Sequence, residues 1–251
     1  MELGIGGRVA LVAASSRGLG RAVAESLAAE GARLTICGRD GSTLAATELA
    51  LRAQGTEVLA VRMDVTEPTA PQRLVRATIE RYGRLDIVIP NAGGPPPGRA
   101  LELDDAALLA AVEANFLTTV RFVRESLPHL VATRWGRVCC IASYTVTQAS
   151  PALAASTAAR IGLWGWVKSA AADLAGSRVT LNLVCPGPHA TDRMIQLNAA
   201  GGSGGSGAPA APGAMGDPGD FGKVVTFLCS EPARFINGAA LVVDGGSTLA
   251  L

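Results

Sequence analysis

The stretch Ala13-Ala14-Ser15-Ser16-Arg17-Gly18-Leu19-Gly20 carries the first recognisable chemistry. It follows a short apolar run and opens a segment of helical periodicity. In that setting Gly18 and Gly20 let backbone and helix approach each other, and the helix N-terminus offers free N–H groups to a pyrophosphate. A tight strand-to-helix turn with no ligand would use the same glycines. The next apolar run ends in Cys37-Gly38-Arg39, where a dinucleotide fold reads the adenosine ribose. An Asp or Glu there would accept from the 2′-hydroxyl of NAD. Arg39 cannot accept, but it suits a 2′-phosphate, with Arg17 and Ser16 beside it. These residues therefore lean to NADP over NAD, against a competing reading of solvated surface arginines.

The elements that must position these residues are legible in the pattern. Apolar runs at 8–13, 33–37, 57–61, 86–90, 137–142, 179–185 and 240–243 alternate with helical segments at 18–30, 41–54, 68–82, 104–130, 154–175 and 219–228. Runs that are apolar throughout suit strands buried on both faces. The alternation predicts an α/β fold, a single Rossmann-type doubly wound parallel sheet of seven strands with helices on both faces, as one domain over 1–251. Residues 201–207 read GGSGGSG, the composition of a flexible or engineered linker, which carries no function.

Composition narrows the partners. The chain has 22 Lys+Arg against 21 Asp+Glu, which leaves no electrostatic footprint for nucleic acid. It is 49% hydrophobic, yet no run reaches the ~18 uninterrupted apolar residues of a spanning helix, so no membrane is expected. The N-terminus does not read as a signal peptide. The five cysteines lack metal-type spacing, and with two histidines no metal site is expected; buried thiols in a reducing cytoplasm are.

Further motifs recur along the chain: Met63-Asp64-Val65, Pro90-Asn91-Ala92-Gly93, Glu113-Ala114-Asn115-Phe116, Ser143 at the end of the fifth strand, Pro186-Gly187 followed by Thr191, and Asp244-Gly245-Gly246. With the Gly-rich turn, they make the chain resemble the short-chain dehydrogenase/reductase family over essentially its whole length, in particular its 3-oxoacyl-ACP-reductase-like members. The turn departs from the family's in carrying Ala at its first two positions. The resemblance implies that 15–20, Arg39, Asp64, Val65, Asn91, Ala92, Gly93, Pro186, Gly187 and Thr191 bind the cofactor. It also implies that Asn115 and Ser143 serve catalysis on a small-molecule substrate.

One departure bears on mechanism. The family's proton donor is a Tyr with a Lys four residues on, the Lys lowering the phenol's pKa. Anchored on Gly162-Leu163, those positions fall on Leu153 and Thr157, and the connection from Ser143 looks about three residues short of the family's by this alignment. Tyr144 and His189 are the candidate replacements, against readings as a packed loop tyrosine and a solvent-facing loop histidine. Three functions stay open: an NADP-dependent oxidoreductase with a relocated donor, a non-redox dehydratase, isomerase or cyclase on the same scaffold, and an inactive cofactor-binding homologue. The helix at 154–175 carries only Arg160, Lys168 and Asp173 as charges and holds Trp164 and Trp166, which predicts a homodimer or homotetramer built on it.

Overall fold

The structure, a computed structural model, describes residues 1–199 and 215–249. The linker-like 201–207 lies outside the described residues. Seven parallel strands form one sheet: β1 (Val9–Val12), β2 (Arg33–Gly38), β3 (Val58–Arg62), β4 (Ile87–Ile89), β5 (Gly136–Ile141), β6 (Val179–Pro186) and β7 (Ala240–Val243), in the order β3-β2-β1-β4-β5-β6-β7. The expected doubly wound sheet is present, with β1 flanked by β2 and β4. Strand order reverses there, and a crevice opens at the carboxyl ends of those strands.

Helices α1 (Gly18–Ala29), α2 (Gly41–Ala53), α3 (Ala70–Tyr82), α4 (Asp105–Val112), α5 (Thr118–Ala132), α6 (Ala154–Asp173), α7 (Asp192–Ala199) and α8 (Pro218–Leu228) complete the chain. Alternate strand residues feed two cores, as the period of two demands. Leu11, Val88, Val138 and Leu181 pack with residues of α3, α5 and α6, whereas Ala10, Val12, Ile87 and Ile89 pack with residues of α1, α2 and α8. Helices α1 and α8 meet closely because Gly222 has no side chain; a Cβ there would lie 2.5 Å from the Ala22 carbonyl oxygen.

The continuous helical stretch Asp105–Ala132 is long and apolar enough to cross a membrane by length and composition alone, although charged residues interrupt its apolar run. Its richest 18-residue window has a mean hydropathy of 1.4. It nonetheless belongs to the layer covering the sheet: Phe122 and Val123 enter the core beside α3, and Ala111 packs against Ala155 and Ala159 of α6. Between α4 and α5 it passes through a π-helical turn, Glu113–Leu117, in which the Thr118 N–H reaches the Glu113 carbonyl. Such turns often mark functional positions, and this one contains Asn115.

Candidate active site

The Gly-rich turn closes on itself at the end of β1. Gly18 sits at φ +58, a conformation that side chains disfavour. A Cβ on Gly20 would lie 2.4 Å from the Ala14 oxygen and 2.8 Å from Asn91 Nδ2, so only glycine fits. Asn91, at the end of β4, donates from Nδ2 to the Ala13 and Ala14 carbonyls, each at 3.3 Å, and pins the turn across the crevice. On the far wall, the Thr191 methyl lies 3.8 Å from where a Gly18 Cβ would be. Gly187 packs onto Asp244 so closely that a Cβ would lie 2.4 Å from the Asp244 Cβ. The resemblance-derived positions 18–20, 91–93, 186–187 and 191 thus meet around one crevice, with Ala92 half-buried and Gly93 exposed beside Asn91.

Some predicted cofactor residues turn their side chains inward. The Ser15 hydroxyl donates to the Val12 carbonyl at 2.8 Å and accepts from the Cys37 N–H at 3.1 Å, so it staples β1 to β2. Val65 is buried in the core, and Leu19 packs against the opposite core. Ser16 leans over Gly38, where a Cβ would meet its Oγ at 2.6 Å. Arg17 is exposed at the N-cap of α1.

At the ends of β2 and β3 the exposed Arg39 guanidinium pairs with Asp64 at 3.7 Å. Burial opposes ionisation of Asp64, but hydrogen bonds from the Thr66 N–H and hydroxyl and the Arg39 charge outweigh it and hold the carboxyl below its ordinary value. Sequence reasoning missed Arg62. It is the register partner of Gly38 and donates from Nε to the Arg39 carbonyl at 3.0 Å. The signal was its place at the end of the adjacent strand. These groups fit a dinucleotide carrying a 2′-phosphate: a turn too tight for a side chain, an open helix N-terminus, and two arginines at the ribose-reading edge.

Of the catalytic candidates, Ser143 and Tyr144 follow β5, His189 follows β6, and Asn115 lies on the π-helical turn between α4 and α5. Ser143 caps a short 3₁₀ turn, Tyr144–Val146, and its Oγ accepts from the Thr145 N–H at 3.2 Å. Its backbone N–H contacts the Cys185 thiol, which burial pushes up to about 12. Tyr144 is 4% exposed, as the competing reading of a packed loop tyrosine has it. Asn115 is buried on the π-helical turn and donates from Nδ2 to the Ala111 carbonyl at 3.3 Å. His189 is 5% exposed rather than solvent-facing. Its Nδ1 lies 3.1 Å from the Gly187 carbonyl, and its ring meets Phe221 of α8 edge-on at 5.2 Å.

Leu153 is the N-cap of α6, bridged to Gly98, while Thr157 is buried with its Oγ1 unpartnered among the described residues. One turn further on, Ser156 and Arg160 are both buried and joined by a hydrogen bond from the guanidinium to the serine hydroxyl. Burial pushes Arg160 down to about 10, and its charge acts on Cys185 beside Ser143. Among the described residues no group of His, Cys, Asp and Glu is placed to hold a metal ion.

The comparisons with known proteins fit this geometry. A family model described as enoyl-(acyl carrier protein) reductase matches residues 13–248. The chain is 30% identical over 242 residues to the 3-oxoacyl-[acyl-carrier-protein] reductase FabG of Escherichia coli, covering 96% of this chain and 97% of that one. It is 32% identical over 245 residues to the 3-oxoacyl-[acyl-carrier-protein] reductase of a Synechocystis strain, covering 96% and 97%. The crystal structure of L-sorbose reductase from Gluconobacter frateurii, complexed with NADPH and L-sorbose, superposes with a TM-score of 0.91 at 26% identity over all of both chains. The chain belongs to the short-chain dehydrogenase/reductase family and is an oxidoreductase of that type.

Proposed function

We propose that this chain is an NADP-dependent oxidoreductase acting on the carbonyl or alcohol group of a small molecule. The observation that carries the reading is the pairing of Arg39 and Arg62 at the ends of β2 and β3, next to a phosphate turn closed around Gly20. Two guanidiniums there favour a 2′-phosphate over a bare ribose hydroxyl, which an acidic residue would favour instead. The NADPH bound to the L-sorbose reductase neighbour supports the same choice. When bound, the nicotinamide supplies the hydride.

The chain's own residues orient the substrate and handle the proton. Ser143 is the first contact for a substrate oxygen: its Oγ already accepts from Thr145, which leaves its O–H to donate. Tyr144 follows it directly as a buried phenol, and Asn115 offers a buried helix amide to the same substrate. His189, wedged against Phe221 and the Gly187 carbonyl, fixes the loop that carries Thr191 rather than exchanging protons. The exposed Ile161 on α6, followed by the exposed Gly162 and Gly165 and the half-buried Trp164 and Trp166, supports a homodimer or homotetramer. Five buried free thiols suit a reducing cytoplasm.

The test is NADPH oxidation followed at 340 nm across a panel of ketones, with binding of both nucleotides measured in parallel. Carbonyl-dependent oxidation supports the reading. Tight NADPH binding with no oxidation by any carbonyl would move the chain to the non-redox or inactive class.

A further inference from the structure

Arg160 is a buried cation whose charge no carboxylate answers among the described residues. It is 7% exposed, and among the described residues its one hydrogen-bond partner is the Ser156 hydroxyl. The other buried arginine, Arg137, shows what a satisfied guanidinium looks like in this fold. It donates to the Ser230 carbonyl at 3.2 Å, the Gly136 carbonyl at 2.9 Å and the Glu231 carboxylate at 3.2 Å, and it lies 4.2 Å over the Trp135 ring. A guanidinium has five donors, and a buried charge without a counter-charge is among the most destabilising features a core can carry. Arg160 is positioned for something the described residues do not supply.

Its surroundings say where that partner lies. Arg160 stands in the second turn of α6, whose N-cap Leu153 pairs with Gly98, and its charge reaches Cys185 at the end of β6, which the Ser143 N–H also touches, so it lies near the centre assigned above to the reaction. A second guanidinium lies nearby, held on the loop whose Gly98 pairs with the start of α6. Arg193 of α7 donates to the Pro95 carbonyl at 2.6 Å beside Gly94, has no carboxylate partner among the described residues, and repels Arg160 electrostatically. Burial lowers the pKa of both. The cofactor's phosphates have their own groups at the other end of the crevice, in the N-terminus of α1, Arg39 and Arg62.

We propose that Arg160, held by Ser156, and Arg193 together bind a carboxylate on the substrate, so that the enzyme acts on a keto acid or hydroxy acid rather than on a neutral ketone. The proposal rests on the oxidoreductase reading for the word substrate, but the anion site is testable without turnover. The probes are acetoacetate and methyl acetoacetate, which share a ketone and differ in charge. Each is titrated calorimetrically into the full chain, with and without NADP⁺. Acetoacetate should bind at least about tenfold more tightly than the ester, the scale of one charge-assisted hydrogen bond. Arg160→Gln and Arg193→Gln should each erase most of that difference, with NADPH affinity kept within about twofold of the parent. Arg193 is half-buried at the surface, so its variant reports even if Arg160→Gln fails to fold. Equal or tighter binding of the ester would overturn the proposal. So would failure of acetate, pyruvate and acetoacetate alike to bind the parent better than either variant. Loss of NADPH affinity in place of carboxylate affinity would overturn it too, by assigning the guanidinium to the cofactor. A chain that binds no NADPH refutes the proposed function, while the acid-to-ester ratio still decides this one.

Discussion

Replacing Gly20 by Ala tests whether the turn after β1 is shaped for a ligand or merely short. The added Cβ would lie 2.4 Å from the Ala14 carbonyl oxygen, a backbone atom that cannot rotate away, and 2.8 Å from Asn91 Nδ2. Relief requires the turn to open and at least one of the two Asn91 bonds to the Ala13 and Ala14 carbonyls to lengthen beyond 3.3 Å. Overpacking of this kind costs about 1–3 kcal/mol, and a lost net hydrogen bond adds about 1 kcal/mol. For a chain of this size each kcal/mol moves Tm by about 2–4 °C, so a fall of roughly 4–16 °C is expected. NADPH affinity should drop by more than tenfold, since opening the turn moves the N–H groups of α1 that would meet the pyrophosphate. Gly93→Ala is the control for stability: Gly93 borders the same crevice, but nothing lies within 4 Å of its Cβ position. Differential scanning fluorimetry and calorimetric titration of both variants read the outcome. A Gly20→Ala protein with parental Tm and parental NADPH affinity would refute the argument.

Ser143→Ala should lower turnover by about a hundredfold or more with little change in NADPH affinity, and Tyr144→Phe should match it only if the phenol is the donor; steady-state kinetics decide. Burial opposes ionisation of Asp244, but hydrogen bonds from Thr248 and the Gly246 N–H prevail and hold its carboxyl below the ordinary value. A depressed folded pKa contributes stability above the unfolded value near 3.8 that is lost as pH falls through the folded value, so Asp244→Asn should flatten the acid limb of urea stability below about pH 4. Ile161→Glu, placing a charge on the exposed α6 face, should shift sedimentation toward monomer, and a parent already monomeric at micromolar concentration would exclude this face as the interface.

How far the sequence could be read follows physical lines. The strands were legible because residues buried on both faces leave uninterrupted apolar runs, as Val138 and Leu181 do, and the turn was legible because its glycines are sterically required. The inward use of Ser15 was not, since a hydroxyl in such a turn can serve a ligand or the neighbouring strand, and only the pairing of β1 with β2 decides. His189 read as a candidate replacement donor or a solvent-facing residue, and its packing against Phe221, 32 residues on in the chain, could not be seen in the sequence. Arg62 becomes a neighbour of Arg39 only through strand register. Arg160 read as one charge on an apolar helix. The Ser156–Arg160 pair has the same four-residue spacing as the family's Tyr and Lys and lies three residues beyond Leu153 and Thr157. That offset equals the apparent shortening of the loop after Ser143, so the two oddities of the alignment reduce to one.

The central claim is that the crevice reads the 2′-phosphate of NADP through the edge formed by Arg39 and Arg62. Paired calorimetric titrations of the parent and of Arg39→Asp with NADPH and NADH measure this directly. The parent should favour NADPH by about 10–100-fold, one charge-assisted phosphate contact, because the exposed Arg39–Asp64 pair that must be exchanged is worth at most about 1 kcal/mol. Arg39→Asp should invert the ratio, and added salt should weaken NADPH binding to the parent more than NADH binding. Equal affinities in the parent, or a ratio untouched by Arg39→Asp, would contradict the account.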